Sequence, residues 1–210
     1  MRLKKRPWGD KVLSSNLDIV LLEANLEEER FLSFIDHNDL ALEIGAGKGD
    51  FVIQMAKKYP HIHFLAIEMQ SMALAYAVRK IQDEKLENVL FINCDGNILL
   101  DHIKEKTVNT VFLNHSDPWP KKRHHKRRLT YPTMLAKYEK ILKDDGNLIF
   151  KTDNDLLFQD SLEYINESNF KLDKVDFDYD GNDEYGARIE YETRFREIGT
   201  PIKRYIASKK

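Results

Sequence analysis

The sequence contains a single cysteine, Cys94, so an intramolecular disulfide is excluded. Chains without a disulfide framework are typical of reducing compartments, and we expect a cytoplasmic protein. No stretch approaches the roughly 18 consecutive apolar residues that a membrane span needs. The basic N-terminus continues into Pro7-Trp8-Gly9-Asp10, where a secretory signal would continue with an apolar segment. The sequence therefore predicts no membrane partner.

A large net charge is also missing, because 33 Lys and Arg residues are balanced by 35 Asp and Glu residues. The chain is thus not a non-specific polycation. Its positive charge is local, with a concentration at residues 121–128, and acidic stretches lie at residues 27–29 and 173–184. This distribution favours one positive face for a selected polyanion. His61 and His63 have no Cys or carboxylate at ligand spacing, so we expect no metal site.

A chain of 210 residues with 42% hydrophobic content is long enough for one domain with a substantial core. Short apolar runs predict strands at Leu40–Ile44, Phe64–Ile67, Val89–Ile92, Thr110–Leu113 and Leu148–Phe150. Helical spacing of apolar residues predicts helices at Phe51–Tyr59, Ser71–Asp83, Asn97–Lys104, Thr130–Leu142 and Asp155–Asn166. Strands separated by helices indicate an α/β fold, with a mostly parallel sheet and helices on both of its faces.

Two more runs, Phe170–Phe177 and Ile202–Ala207, predict strands without an obvious helix between them. We expect them to pair antiparallel at one edge, which gives seven strands in all. Residues 1–39 are predicted to form a helical arm packed outside the sheet, and residues 40–210 the domain itself.

Three glycines follow the end of the first predicted strand, in the segment Gly45-Ala46-Gly47-Lys48-Gly49. An open α/β sheet binds its ligand at this place, where glycines let the backbone approach the ligand. The spacing differs from the Gly-x-Gly-x-x-Gly of dinucleotide binders. A purely structural turn between strand and helix is the alternative interpretation.

Carboxylates occur at three successive strand ends, as Glu43, Glu68 and Asp95. Glu68 follows Gly45 at the distance where a carboxylate accepts hydrogen bonds from the hydroxyls of a ribose. The short side chains of Asp95-Gly96-Asn97 are suited to the edge of an adenine. Three carboxylates would repel a triphosphate, so the pattern favours a cationic ligand that carries a ribose.

The most informative segment follows the fourth strand, where Asp117-Pro118-Trp119-Pro120 precedes the basic segment, residues 121–128, with six Lys or Arg and two His. Two prolines restrict the turn and hold the Asp and Trp side chains in a defined direction. We interpret the basic segment as a phosphate contact, with a merely solvated charge run as the alternative. Trp119 either stacks on an extruded base or fills the core beneath the turn.

The strand-end features resemble class I S-adenosylmethionine-dependent methyltransferases, which share a Rossmann-like fold. The string Ser116-Asp117-Pro118-Trp119-Pro120-Lys121-Lys122-Arg123-His124 narrows the likeness, because it resembles the signature of the bacterial tRNA (guanine-N7)-methyltransferase family, TrmB. The resemblance extends to Lys151-Thr152-Asp153-Asn154, to Glu190-Tyr191-Glu192-Thr193-Arg194-Phe195 and to Gly199-Thr200-Pro201-Ile202, so it spans roughly residues 2–205.

The resemblance implies methyl transfer from S-adenosylmethionine to N7 of guanine 46 in the variable loop of tRNA, with S-adenosylhomocysteine as product. It implies a protein that binds tRNA, while the sequence leaves open whether the chain is a monomer or a homodimer. The cofactor-binding residues that it implies are Glu43, Gly45, Gly47, Glu68, Asp95, Gly96, Asn97 and Asp117, and Asp117 is also catalytic. Substrate contacts fall on Lys121, Asp153, Glu192, Thr193 and Arg194, and RNA contacts on Arg123, His124, His125, Lys126, Arg127 and Arg128.

The sequence departs from the family pattern at two positions. His115 stands where the family often has an aromatic or apolar residue. Ile189 stands where an ungapped match expects a Thr, and a gapped match would move the motif to residues 193–196. Two rival functions are an amino-group methyltransferase of the Asn-Pro-Pro-Tyr type, which Trp119 disfavours, and a non-catalytic RNA-binding protein, which the strand-end carboxylates disfavour.

Overall fold

The computed structural model describes residues 6–22, 26–82, 84, 86–187 and 189–210. Within these ranges the helices are α1 Pro7–Ser14, α2 Glu29–Ile35, α3 Asp50–Lys58, α4 Ser71–Ile81, α5 Gly96–Leu99, α6 Pro132–Ile141, α7 Asp155–Asn166 and α8 Glu190–Glu197. The strands are β1 Val20–Leu22, β2 Leu40–Ile44, β3 His63–Ile67, β4 Val89–Asn93, β5 Val108–Asn114, β6 Leu142–Thr152, β7 Phe170–Asp176 and β8 Lys203–Lys209. The chain divides into a first unit, residues 1–103, and a second unit, residues 104–210.

The first unit holds parallel strands in the order β1-β4-β3-β2. Every residue of β2 is buried, which explains why this strand is a continuous apolar run interrupted only by Glu43. Each parallel pair leaves its carboxyl ends at the same edge, and the sequence-predicted carboxylates lie there. Among the described helices, none is long and apolar enough to cross a membrane.

The N-terminal segment differs in part from the predicted helical arm. Helix α1 does pack on α4, where the Trp8 and Tyr76 rings make a T-shaped contact with centroids 5.0 Å apart. The segment after it forms β1, which pairs with β4 and raises the strand number from the predicted seven to eight. Three apolar residues show no periodicity, so only the backbone partner offered by β4 identifies this strand.

The second unit holds its strands in the order β5-β6-β8-β7, with β5 parallel to β6 and with β8 antiparallel to both of its neighbours. The antiparallel edge is therefore confirmed. Strand β6 is far longer than the predicted Leu148–Phe150, because it begins at Leu142, directly after α6. The sequence Lys143-Asp144-Asp145-Gly146 has the composition of a turn, but a Cβ on Gly146 would lie 3.0 Å from the carbonyl oxygen of Val108. Close strand pairing thus requires that glycine.

Candidate active site

The glycine turn between β2 and α3 requires left-handed backbone, with φ of 83° at Gly45, 56° at Gly47 and 73° at Gly49. The amide nitrogens of Gly45 and Ala46 donate to the carbonyl oxygen of Ile67 at 2.8 and 2.9 Å, which ties the turn to the end of β3. A Cβ on Gly49 would lie 2.9 Å from that of Ala77. Backbone conformation and close helix packing together explain the glycine pattern.

Glu68 lies at the end of β3 and is only 7% exposed. Its Oε2 accepts a hydrogen bond from the Gly47 amide at 2.9 Å, and its Oε1 accepts one from the Gln70 amide at 2.7 Å. Hydrogen bonds from two main-chain amides favour the charged carboxylate and fix its direction. Such a group is suited to accept hydrogen bonds from the hydroxyls of a ribose.

Gly96, the first residue of α5, packs closely on the side chain of Ile44 at the end of β2, because a Cβ on it would lie 2.7 Å from Cγ2 of Ile44. Asp95 caps α5, since its Oδ1 accepts from the amide of Asn97 at 2.9 Å. Asp95 and Asn97 are exposed at this edge, whereas Glu43 is buried at 3% exposure. The structure thus brings the strand-end carboxylates of the first unit to one edge of its sheet.

Sequence reasoning missed Met69, which directly follows Glu68 and is 68% exposed. An apolar side chain exposed beside a fixed carboxylate offers a surface for a flat heterocycle such as adenine. The only feature of the sequence that could have indicated Met69 is its position directly after a strand-end carboxylate. These residues fit a nucleoside-bearing cofactor, and the described residues hold no group of three or more His, Cys, Asp and Glu placed to bind a metal ion.

In the second unit, the turn after β5 is strained at both ends. His115 and Trp119 have φ of 49° and 43°, a left-handed conformation that costs a residue other than glycine about 1 to 3 kcal/mol. Asp117 lies exposed between them. The prolines therefore account for part of the turn geometry, and two strained residues account for the rest. Strain of this kind persists only where neighbouring structure imposes it.

The Trp119 ring contacts the basic segment. The Arg127 guanidinium lies 4.9 Å over its face, and the His124 ring makes a T-shaped contact with it at 5.9 Å between centroids. Trp119 is partly exposed, so it is not a plug in the core beneath the turn. Within the basic segment, Lys122–Arg127 forms a 3-10 helix. The exposed cations are Lys121, Lys122, Arg123, Lys126 and Arg127, while His124 and His125 are half-buried.

Arg128 differs from the rest of the basic segment, since it is 2% exposed. Its Nε donates to the carbonyl oxygen of Pro118 at 2.8 Å, and its Nη1 pairs with the Asp160 carboxylate on α7. A guanidinium held in this way is not presented to a phosphate, which corrects the RNA-binding role expected for Arg128. The sequence alone could not distinguish Arg128 from its neighbours, because Arg128 is the last residue of a run of basic residues.

We expect Arg128→Met to destabilise the protein by about 1.5 to 3 kcal/mol, because it removes charged hydrogen bonds to Pro118 and Asp160. The matched variant Lys126→Met changes an exposed residue that makes no contact with Trp119, so its effect on unfolding should stay within about 0.5 kcal/mol. Urea unfolding of both variants measures the difference. Equal stability of the two variants would show that Arg128 does not hold the turn.

The charge cluster, formed by His115, Lys151, Asp153 and Glu192, lies where β5 and β6 end. His115 Nδ1 lies 3.3 Å from Asp153 Oδ1, and its Nε2 lies 3.1 Å from Glu192 Oε1. The fully buried Lys151 donates from Nζ to the same Glu192 oxygen at 2.6 Å. Asp153 and Glu192, both predicted substrate contacts, are thus brought together.

Thr193 and Arg194, predicted from the same motif, lie on the exposed side of α8. The Thr193 hydroxyl donates to the carbonyl oxygen of Ile189 at 3.1 Å, a bond within the helix turn. Glu192 is the residue that α8 directs inward. The ungapped match therefore places the motif's carboxylate in the charge cluster. The gapped match would place the motif at residues 193–196, of which Thr193 and Arg194 are exposed and Phe195 and Arg196 are half-buried.

Comparison with known proteins agrees with these features. Residues 37–205 match a family profile described as "Putative methyltransferase". A tRNA (guanine-N(7)-)-methyltransferase of Lactobacillus johnsonii is 40% identical and covers 96% of both chains. An enzyme of the same name from Bacillus subtilis is 40% identical and covers 97% of both chains.

Solved structures of other methyltransferases share the fold. One described as an antibiotic related methyltransferase has a TM-score of 0.61 at 15% identity and covers 85% of this chain and 92% of its own. Phosphoethanolamine N-methyltransferase 2 of Haemonchus contortus, in complex with S-adenosyl-L-methionine, has a TM-score of 0.55 at 13% identity and covers 82% of this chain and 49% of its own.

The protein is thus a methyltransferase with the Rossmann-like class I fold, as its sheet, its glycine turn and its strand-end carboxylates indicate. Sequence identity of 40% over nearly the whole length assigns the chain to one family within this class. The chain belongs to the tRNA (guanine-N(7)-)-methyltransferase family and is an enzyme of it.

Proposed function

We propose that this enzyme transfers a methyl group from S-adenosylmethionine to N7 of guanine 46 in the variable loop of tRNA. The observation that carries the proposal is the exposed Asp117, held in a strained turn directly before the exposed cations of the basic segment. This arrangement supports a reactive base at the turn with RNA phosphates beside it. The named activity of the relatives supports the same reaction. A tRNA substrate also favours the cytoplasm as the location.

S-adenosylmethionine, when bound, supplies an activated methyl group on a positively charged sulfur. We assign its ribose to Glu68 and its adenine edge to Asp95, Gly96 and Asn97, with Gly45 and Gly47 providing close backbone approach. Glu43 adds negative charge on the neighbouring strand. The fixed carboxylate of Glu68 and the exposed surface of Met69 support this assignment. Asp117 as a further cofactor contact stays a prediction.

Guanine N7 carries a lone pair and no proton, so the enzyme needs no general base to form the nucleophile. The new bond joins N7 to the methyl carbon, and the bond from that carbon to sulfur breaks. Positive charge then moves from sulfur to the guanine ring. We propose that the Asp117 carboxylate stabilises this charge and places the base through its N1–H or amino group. Lys121, Asp153 and Glu192 are proposed to contact the nucleotide around it.

The reaction is tested with purified enzyme, labelled S-adenosylmethionine and a tRNA transcript. We expect one methyl group per tRNA and strand scission at guanine 46 after reduction and aniline treatment, which cleaves at 7-methylguanine. A transcript with adenine at position 46 should accept no label. Label on an exocyclic amino group would favour the Asn-Pro-Pro-Tyr type of enzyme, and binding of tRNA without any transfer would favour the non-catalytic protein.

The basic segment should act through phosphates. We expect the combined change of Arg123, Lys126 and Arg127 to alanine to weaken tRNA binding and to flatten the slope of log affinity against log salt by about 2 to 3 units, at about 0.7 to 0.9 per lost contact. Filter binding over a salt series measures the slope. Affinity for S-adenosylhomocysteine should be unchanged. Parallel salt lines with equal affinity would make the segment a solvated charge run.

A further inference from the structure

Helix α8 has an unusual attachment to the second unit. Its sequence, Glu-Tyr-Glu-Thr-Arg-Phe-Arg-Glu, is strongly polar, and Glu192 is its only buried residue over a range that the structure describes in full. Ile189 occupies the N-cap and makes no side-chain cap, although caps are a main source of stability for short helices. Apolar packing and capping therefore hold α8 weakly. Polar contacts hold it instead, from Glu192 and Tyr191 to the charge cluster and from Arg196 to the carbonyl oxygen of Tyr179.

Glu192 is bound by two cations from two different strand ends. Lys151 on β6 donates to Oε1 at 2.6 Å, and His115, directly after β5, faces the same oxygen at 3.1 Å. The pKa of Glu192 is shifted by burial, which raises it, and by hydrogen bonds from His115 and Lys151, which outweigh burial and lower it. The carboxylate is thus charged, and a buried charge requires its partners.

Both ring nitrogens of His115 face carboxylate oxygens, since Nδ1 faces Asp153 and Nε2 faces Glu192. A neutral imidazole has one N–H, so one of the two carboxylates would meet a lone pair. Only the imidazolium donates to both. Tyr191 on α8 completes the surroundings, because its hydroxyl donates to Asp153 Oδ1 at 3.1 Å and its ring lies 4.6 Å from the His115 ring. With His115 charged, the cluster contains two positive and two negative groups.

The protonation of His115 follows from the same contacts. Burial lowers its pKa, but the hydrogen bonds to Asp153 and Glu192 outweigh burial and raise the pKa above the ordinary 6.5, against a small opposing effect of Lys151. Asp153 and Glu192 both have lowered pKa values and stay charged above pH 4.5. The contribution of the His115 charge to stability is therefore complete below about pH 6.5 and is lost as pH rises through the raised folded-state pKa.

We propose that His115 is a positioning residue for methyl transfer, which in its charged form fastens Glu192, and with it α8, to Asp153 at the end of β6. The proposal rests on the proposed function in one respect, because Asp153 and Glu192 are the groups that we assign to the nucleotide. Loss of the proton leaves the buried cluster with one excess negative charge. The attachment of α8 is then weakened, because Lys151 alone still binds Glu192, and the substrate-contacting carboxylates lose their fixed arrangement.

The test compares wild type with His115→Phe, which keeps an aromatic ring and removes the charge, and with His61→Phe, an exposed control. At pH 6.5 we expect His115→Phe to raise KM for tRNA about ten-fold or more, while the Kd of S-adenosylhomocysteine changes less than about two-fold. As pH rises, kcat/KM of wild type and of His61→Phe should fall toward that of His115→Phe, whose own profile should be flat over the same range. Superimposable profiles of wild type and His115→Phe would overturn the proposal.

Two further measurements do not depend on catalysis, and they do not require the His115→Phe variant to fold. In wild type with labelled imidazole carbons, one of the seven histidines should titrate above pH 6.5 and be absent from the spectrum of His115→Gln. Hydrogen exchange of residues 190–197, corrected for intrinsic pH dependence, should accelerate through the same midpoint. Titration at or below pH 6.5, or exchange without that midpoint, would refute the role of His115. Wild type that methylates no tRNA would refute only the proposed function.

Discussion

Asp117→Ala is expected to lower the single-turnover rate of methyl transfer by about two to three orders of magnitude while leaving the protein folded. Removal of a preorganised electrostatic group costs about 2.7 to 4 kcal/mol in the transition state. Asp117 is exposed, and the strained residues His115 and Trp119 on either side fix its backbone. Its loss should therefore affect the reacting base far more than the fold. Rates are compared at saturating cofactor and tRNA.

Two controls separate charge from size. Asp117→Asn keeps a hydrogen-bond acceptor of the same shape and removes the charge, so it should lose most of the rate if charge stabilisation dominates. Asp145→Ala removes an exposed carboxylate elsewhere on the second unit and should be neutral. If Asp117→Ala retains a rate within a few-fold of wild type, Asp117 is not the group that stabilises the guanine ring.

The sheet and the strand-end carboxylates could be predicted from the sequence because they follow from local rules. Buried parallel strands require continuous apolar runs, and a carboxylate that ends such a run, as Glu68 does, must lie at the ligand edge. Left-handed glycines at Gly45, Gly47 and Gly49 follow from the same turn. The predicted mostly parallel sheet with an antiparallel edge was confirmed for this reason.

Features that depend on distant partners were not predictable. Strand β1 exists because β4 offers it a backbone partner, and β6 extends through Gly146 because β5 lies close beside it. Arg128 resembles its neighbours in sequence, and only the carbonyl of Pro118 and the carboxylate of Asp160 distinguish it. Likewise, the sequence shows His115 only as a departure from the family pattern. The structure is needed to show that Asp153 and Glu192 lie on either side of its ring.

Glu68→Ala tests the proposed cofactor site of the first unit and is expected to weaken binding of S-adenosylhomocysteine about 10- to 150-fold. This range corresponds to loss of a charged hydrogen-bond acceptor, about 1.5 to 3 kcal/mol. The same change removes the acceptor for the Gly47 amide at 2.9 Å, so the glycine turn also loses its anchor. Affinity for tRNA should stay within a few-fold, because the basic segment belongs to the second unit. Calorimetric titration measures the first quantity and filter binding the second.

Glu68→Gln sharpens the test, because both carboxylate oxygens accept main-chain hydrogen bonds, from Gly47 at 2.9 Å and from Gln70 at 2.7 Å. A glutamine has one acceptor oxygen and would turn its amide N–H toward the other donor, so cofactor affinity should fall even though the shape is kept. Glu87→Ala, an exposed carboxylate of the same unit, is the control and should bind normally. An unchanged dissociation constant for Glu68→Ala would remove Glu68 from the cofactor site. In that case the strand-end carboxylates would serve the fold rather than the ligand.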